Sequence, residues 1–281
     1  MKNLNVLLLS GFLMLAAAAC QNESRKDANE QTVKQTERPT LKQGESENSQ
    51  KVMESGGLKV YPAEIAESFP NAKLSLKSPA ASEVTEAKEY EFSFAVDNYE
   101  LMEQTPMAEE RHCANSQKGQ HIHFILNNAP YEAHYEPSFK AELMEGNNVV
   151  LAFLSRSYHE SIKQDDAFIL QNFPIGENVA SFDQTAKHLF YSRPKGSYTG
   201  EDTKRILLDF FLVNTELSEE GYQVKAIIDD NQFMLSHWQP YFVEGLSMGE
   251  HTFRLQLIDA DGKLVEGPFN DSGERVIKLQ E

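Results

Sequence analysis

An all-β fold of two tandem β-sandwich domains, placed behind an export signal and a disordered tether, is what this 281-residue sequence predicts. Three observations lead there. The chain opens with Lys2, an apolar run from Val6 to Leu15 and the string Ala16-Ala17-Ala18-Ala19 ahead of Cys20. A polar stretch follows from Gln21 to about Gly56. The remainder carries one pattern of short alternating strands twice, punctuated by Gly, Pro, Asn and Asp and without sustained helical periodicity.

The first segment, residues 1–19, has a basic start, an apolar stretch too short for a permanent span and a small-residue cleavage site, the layout of a removable secretory signal. With a cysteine at the cut, it resembles a bacterial lipoprotein signal. That resemblance implies that Cys20 becomes the lipidated first residue and that the chain is held to a membrane by lipid. Gln21 stands where aspartate marks inner-membrane retention in enteric bacteria, so the resemblance implies the outer membrane of the cell envelope. Residues 20–56 hold few aliphatics (Val33, Leu41, Val52 and Met53), too few to bury a core. A flexible coil of this length spans on the order of 30 Å. The net charge of −17 repels phosphate backbones and excludes nucleic acid as a partner.

The duplicated pattern sets the domains at 57–177 and 186–281. Tyr90 to Val96 followed by Asn98-Tyr99-Glu100-Leu101 corresponds to Ile206 to Leu212 followed by Asn214-Thr215-Glu216-Leu217. Gly119 to Asn128 corresponds to Gly221 to Asp230, and His134-Tyr135-Glu136-Pro137 to His237-Trp238-Gln239-Pro240. Leu143-Met144-Glu145-Gly146 before Val149 to Leu154 matches Leu246-Ser247-Met248-Gly249 before Thr252 to Ile258. At roughly 100 residues apiece, each copy has the size and texture of an immunoglobulin-like or fibronectin-like sandwich. Together with the signal and the tether, the pattern resembles Bacteroidetes-type lipoproteins that carry tandem immunoglobulin-like domains. The resemblance implies a binding module and specifies no ligand.

Differences between the copies point to candidate sites, because shared features are explained by the fold. If Ile122, Phe124 and Leu126 face the core, then His121, His123 and Ile125 face outward. Val150, Ala152 and Leu154 then lie inside, and Val149, Leu151 and Phe153 outside. The second copy has polar Thr252, Arg254 and Gln256 at the outer positions. The first sandwich is therefore expected to present an apolar outer face bearing two histidines, which either packs on the second domain or receives an envelope protein or a small ligand. His121, His123, Leu151, Phe153, Arg156 and His159 make up this candidate binding face. A one-residue slip in register would send both histidines into the core.

The first copy also spends many more residues between Leu101 and Gly119 than the second does between Leu217 and Gly221, and the extra segment carries His112 and Cys113. An i, i+2 histidine pair on a strand projects two imidazoles from one face. His121 and His123, joined by Cys113 and His112, thus form a candidate copper or zinc site. The alternative for Cys113 is a small buried hydrophobe. The run Ser155-Arg156-Ser157-Tyr158-His159 resembles, over these five residues, the Ser-Arg-x-His element of forkhead-associated domains, and implies phosphopeptide or anion binding through Arg156 and His159. No nucleophile elbow, phosphate loop or dinucleotide fingerprint is present, so a non-catalytic role is expected, with no cofactor beyond the copper or zinc just named.

Overall fold

The computed structural model describes residues 51–281 apart from Ile65 and Glu67; the signal segment, Cys20 and the tether up to residue 50 lie outside the described residues. Among the described residues every regular element is a strand, apart from 3₁₀ turns of three or four residues. The first two, β1 (Met53–Ser55) and β2 (Leu58–Pro62), form a hairpin. The first sandwich follows with β3 (Lys73–Ser78), β4 (Lys88–Asp97), β5 (His121–Leu126), β6 (Glu132–His134), β7 (Ser138–Leu143), β8 (Gly146–Ser155) and β9 (Phe168–Ile175). The second contains β10 (His188–Arg193), β11 (Gly196–Thr199), β12 (Ile206–Val213), β13 (Gln223–Ile228), β14 (Asn231–Leu235), β15 (Tyr241–Glu244), β16 (Gly249–Ile258) and β17 (Arg275–Gln280).

Two sheets face each other in each sandwich. The first pairs β3-β4-β7 with β6-β5-β8-β9, and the second pairs β1-β2-β15-β12-β10 with β11-β17-β16-β13-β14. All ladders are antiparallel except β11 with β17. The duplication reaches the backbone. Asn98 and Asn214 both take left-handed φ values, 53° and 54°. Each side-chain amide donates to the main chain of the preceding connection, Asn98 to Asn71 and Asn214 to Gln184 and Ala186. A short polar side chain that tolerates this conformation closes the same turn twice.

The β1–β2 hairpin corrects the expected boundaries. Met53–Ser55 is strand rather than tether, and β2 pairs with β15, so residues 53–62 complete the second sandwich instead of opening the first. Alternation explains the choice: Leu58 and Val60 point into the second core beside Tyr241 and Val243.

The register of β5 against β8 opposes Ile122 to Leu154, Phe124 to Ala152 and Leu126 to Val150. Ile122, Phe124, Val150, Ala152 and Leu154 enter the first core with Phe92, Leu143 and Phe173. The opposite face carries Ile125, Val149, Leu151 and Phe153, which pack against Phe190, Phe211, Val213 and Phe269 of the second sandwich. Phe153 stacks on Phe211 at 4.8 Å and an interplanar angle of 17°. The outer face is thus closed, with Leu151 and Phe153 at 0% exposure. Strand β12 explains how the second sandwich offers a matching surface. Its eight residues are buried throughout, with Leu208, Phe210 and Leu212 facing the second core while Leu207, Phe211 and Val213 face the first sandwich.

Asp209 sits on that same strand, fully buried, and pairs with Lys163 of the loop after β8 while accepting the Ser161 N–H at 3.0 Å. Nearby, Glu160 is clasped by Arg111 and Arg156, each at 3.1 Å. A charged strip therefore borders the apolar contact, and it is compensated locally.

Truncating Phe153→Ala should destabilise the chain by about 3–5 kcal/mol, because it removes a stacked ring from a closed interface. Thr252→Ala, on the corresponding face of the second copy, should stay within about 0.5 kcal/mol of the parent in urea unfolding. Asp271 supplies a pH test. Its bidentate contact with Arg254 holds its carboxyl down to about 2. A depressed carboxyl stabilises above the ordinary aspartate range near 3.9 and ceases to do so as pH falls towards about 2. Asp271→Asn should cost about 1 kcal/mol at pH 6 after allowance for solvent screening, and the difference should vanish in urea titrations near pH 2.

Candidate metal centre

Strand alternation places His121 and His123 one above the other on the face of β5 that turns to the second sandwich, where both are fully buried. In the second copy Gln223 and Lys225 take these positions and remain partly exposed. A third imidazole arrives from the loop after β8. That loop folds back sharply: His159 N–H donates to Arg156 C=O at 2.9 Å, Arg156 N–H to Glu160 C=O at 2.9 Å, and Ile162 N–H to Leu154 C=O at 2.9 Å. His159 stands at its tip with a left-handed φ of 68° and is directed back over β5.

Three ring nitrogens converge there. His121 Nε2 lies 2.9 Å from His123 Nε2 and 3.0 Å from His159 Nδ1, and the three ligand atoms all fall within 4.8 Å of one another. His121 Nδ1 sits 2.8 Å from the Gly119 carbonyl, which can only accept, so this nitrogen carries the proton and Nε2 presents its lone pair to the cluster. That lone pair faces two further nitrogens. Hydrogen bonding can satisfy one of these contacts well; a Lewis acid between the rings satisfies all three. His123 Nδ1 is 3.3 Å from Ser192 Oγ of β10, a hydroxyl that can orient the ring from behind.

Tyr131 stacks on His123 at 3.7 Å and 11°, and its hydroxyl is 3.4 Å from His159 Nδ1. The Tyr135 ring lies 5.0 Å from His121. Burial keeps the histidines neutral. It pushes His121 down to about 4, with Arg193 adding to the effect and the Gly119 hydrogen bond opposing it. His123 and His159 are held well below the usual histidine range by burial first, and then by neighbouring rings and the charges of Arg193 and Lys195. Neutral imidazoles are the form that binds metal. Burial pushes the Tyr131 hydroxyl up to about 12, so it stays protonated. His159 is the least buried of the three, which leaves an approach from its side.

Two cations border the cluster from the second sandwich. Lys195 Nζ lies 4.5 Å from the Tyr131 ring centroid, and Arg193 Cζ 5.6 Å from it. Arg193 is buried, donates to Tyr198 Oη at 2.9 Å, and has an Nε without a hydrogen-bond partner among the described residues.

The expected metal ligand set is corrected at two positions. Cys113 is enclosed by Ala63, Ala108, Tyr158, Leu207 and Phe242, and His112 is exposed. A 3₁₀ turn at Ala108–Arg111 ends on left-handed His112, which directs Arg111 and Cys113 inward and the imidazole to solvent. His159, placed by the sequence in the binding face, supplies the third nitrogen instead. The anion-binding reading loses its arginine, because Arg156 is buried against Glu160 and donates to the Ser161 carbonyl at 3.3 Å. Leu151 and Phe153 belong to the contact between sandwiches, so they form no open docking surface. His134, which has a counterpart in His237, stacks on Phe139 at 3.3 Å away from the cluster. Tyr131, Ser192, Arg193 and Lys195 had no local signal, since three of them come from the other sandwich.

No protein-family model and no curated protein matches the chain. Among solved structures, fibronectin(III)-like modules of Clostridium thermocellum CbhA are 14% identical, over 73% of this chain and 92% of theirs, with a TM-score of 0.24. The Bacteroides ovatus mixed-linkage glucan utilization locus protein SGBP-B, solved with a heptasaccharide, is 11% identical over 75% of this chain and 48% of its own, at 0.20. The two tandem V-type regions of the chitin-binding protein VCBP3 are 7% identical over 74% and 100%, at 0.21. Likenesses this distant carry no argument about the site.

Burial pushes the Cys113 thiol up to about 12, against the opposing charges of Arg111 and Arg193. With Cys20 replaced by Ser, so that Cys113 is the sole thiol, reaction with a disulfide reagent at pH 8 should be at least about 100-fold slower in the native chain than in urea.

Proposed function

We propose that this chain is a non-catalytic, lipid-anchored protein of the cell envelope that binds one copper or zinc ion through His121, His123 and His159. The observation that carries the reading is the convergence of three neutral ring nitrogens on one point, with the His121 tautomer set by Gly119. Three imidazoles are a donor set suited to zinc and copper, whereas magnesium and calcium take oxygen ligands. Zinc–nitrogen bonds of 2.0–2.1 Å place tetrahedral nitrogens about 3.3–3.4 Å apart. The close pairs, at 2.9 and 3.0 Å, open slightly to reach that spacing, while the third pair, within 4.8 Å, must draw together through a turn of the His159 ring. Anchoring rests on the Cys20 signal and the polar stretch behind it. Among the described residues no helix is long and apolar enough to cross a membrane.

Elemental analysis and calorimetric titration of the chain without a histidine tag should show one ion per chain. His159→Ala should weaken binding by at least about 10-fold, and His121→Ala with His123→Ala should abolish it. Cys113→Ser and His112→Ala should bind as the parent does, and a loss in either would restore the thiol-containing set. Excess metal at 100 times its dissociation constant should stabilise the fold by about 2.7 kcal/mol in urea, an increment reversed by chelator.

A further inference from the structure

Resting on the metal-site reading above, we infer that the ion this site takes is monovalent copper in preference to a divalent ion, with three imidazole nitrogens as its whole coordination shell. The first support is the charge around the site. Arg193 and Lys195 both lie on the Tyr131 ring, whose own ring stacks on His123, so two fixed positive charges stand one aromatic ring away from a ligand. Neither cation makes a close ion pair among the described residues, although Glu132 attracts Lys195 and Asp202 is drawn by Arg193 from farther off. The histidine cluster contains no carboxylate or thiolate. Repulsion by a fixed charge scales with the charge of the ion, so a divalent metal meets twice the opposition met by a monovalent one.

The second support is the shape of the donor set. Zinc in a three-histidine site completes a tetrahedron with water or an anion, and divalent copper favours a tetragonal set of four or more donors. Here rings crowd the nitrogens of His121 and His123, with Tyr131 over His123, Tyr135 beside His121 and Phe153 5.1 Å from His123, so that only the His159 side is open. Monovalent copper, a closed-shell ion content with two or three nitrogen donors, needs no fourth ligand and no compensating anion. Burial of His121 and His123 between the sandwiches also shields it from solvent.

The test uses the full chain under anaerobic conditions, with bicinchoninate competing for Cu(I) and a chromophoric chelator competing for Zn(II). One Cu(I) per chain is expected, held at least about 100-fold more tightly than Zn(II), with X-ray absorption showing three nitrogen neighbours. Lys195→Gln removes one bordering charge while keeping a donor for the Tyr131 carbonyl, which Lys195 contacts. It should raise Zn(II) affinity by about the square of its effect on Cu(I), on the order of tenfold against threefold. Zn(II) binding equal to or tighter than Cu(I), a four-coordinate copper spectrum, or an equal response of both ions to Lys195→Gln would each overturn the inference while leaving the metal site standing. Failure of both ions to bind would instead overturn the metal site itself.

Discussion

The packing of Leu151 and Phe153 against Phe190 and Phe211 is the contact on which the rest of the molecule depends. It removes the outer face of one sheet from water and joins the two sandwiches into a single compact unit. It also decides the character of the histidine cluster. On an isolated sheet His121 and His123 would be solvated side chains titrating near neutrality; under the second sandwich they are dry, neutral and bordered by cations.

The interface is neither purely apolar nor uniform. Its centre is aromatic, and one margin holds the Arg111–Glu160–Arg156 and Lys163–Asp209 groups, in which each buried carboxylate is met by a cation. The same loop supplies Glu160, Lys163 and His159, so the ion pairs that fix its path also fix the third imidazole. Backbone geometry adds to this constraint, since His159 is held in the left-handed region by hydrogen bonds on both sides of it. Arg193 stands apart in this setting. Its charge is buried between Tyr131 and Tyr198 with no close ion pair among the described residues, a costly arrangement beside the histidine cluster.

The two copies show how one fold can carry a buried histidine cluster in one place and a solvated polar face in the other. Exchange of Gln223 and Lys225 for histidines, and of Thr252, Arg254 and Gln256 for Val149, Leu151 and Phe153, turns a solvated face into a buried one. In the second copy the equivalent face is finished by its own chain, where Arg254 and Gln256 both bind Asp271. Histidine and apolar substitution therefore belong together, because imidazoles become good ligands at this depth only when the strand beside them is closed off.

The sequence by itself determined the all-β class, the duplication and the faces of β5 and β8, because the side-chain period of a strand is two and a one-residue error would have sent His121 and His123 into the first core. It also determined that His121 and His123 share a face with Leu151 and Phe153. Only the tertiary structure decided what covers that face, that the β1–β2 hairpin crosses to the second sandwich, that His159 displaces Cys113 and His112 from the cluster, and that Arg156 is spent on Glu160. The physical reason is range. Alternation is a property of neighbours along the chain, whereas the path of a fold-back loop, the burial of a thiol and the approach of Ser192, Arg193 and Lys195 depend on contacts between segments far apart in sequence.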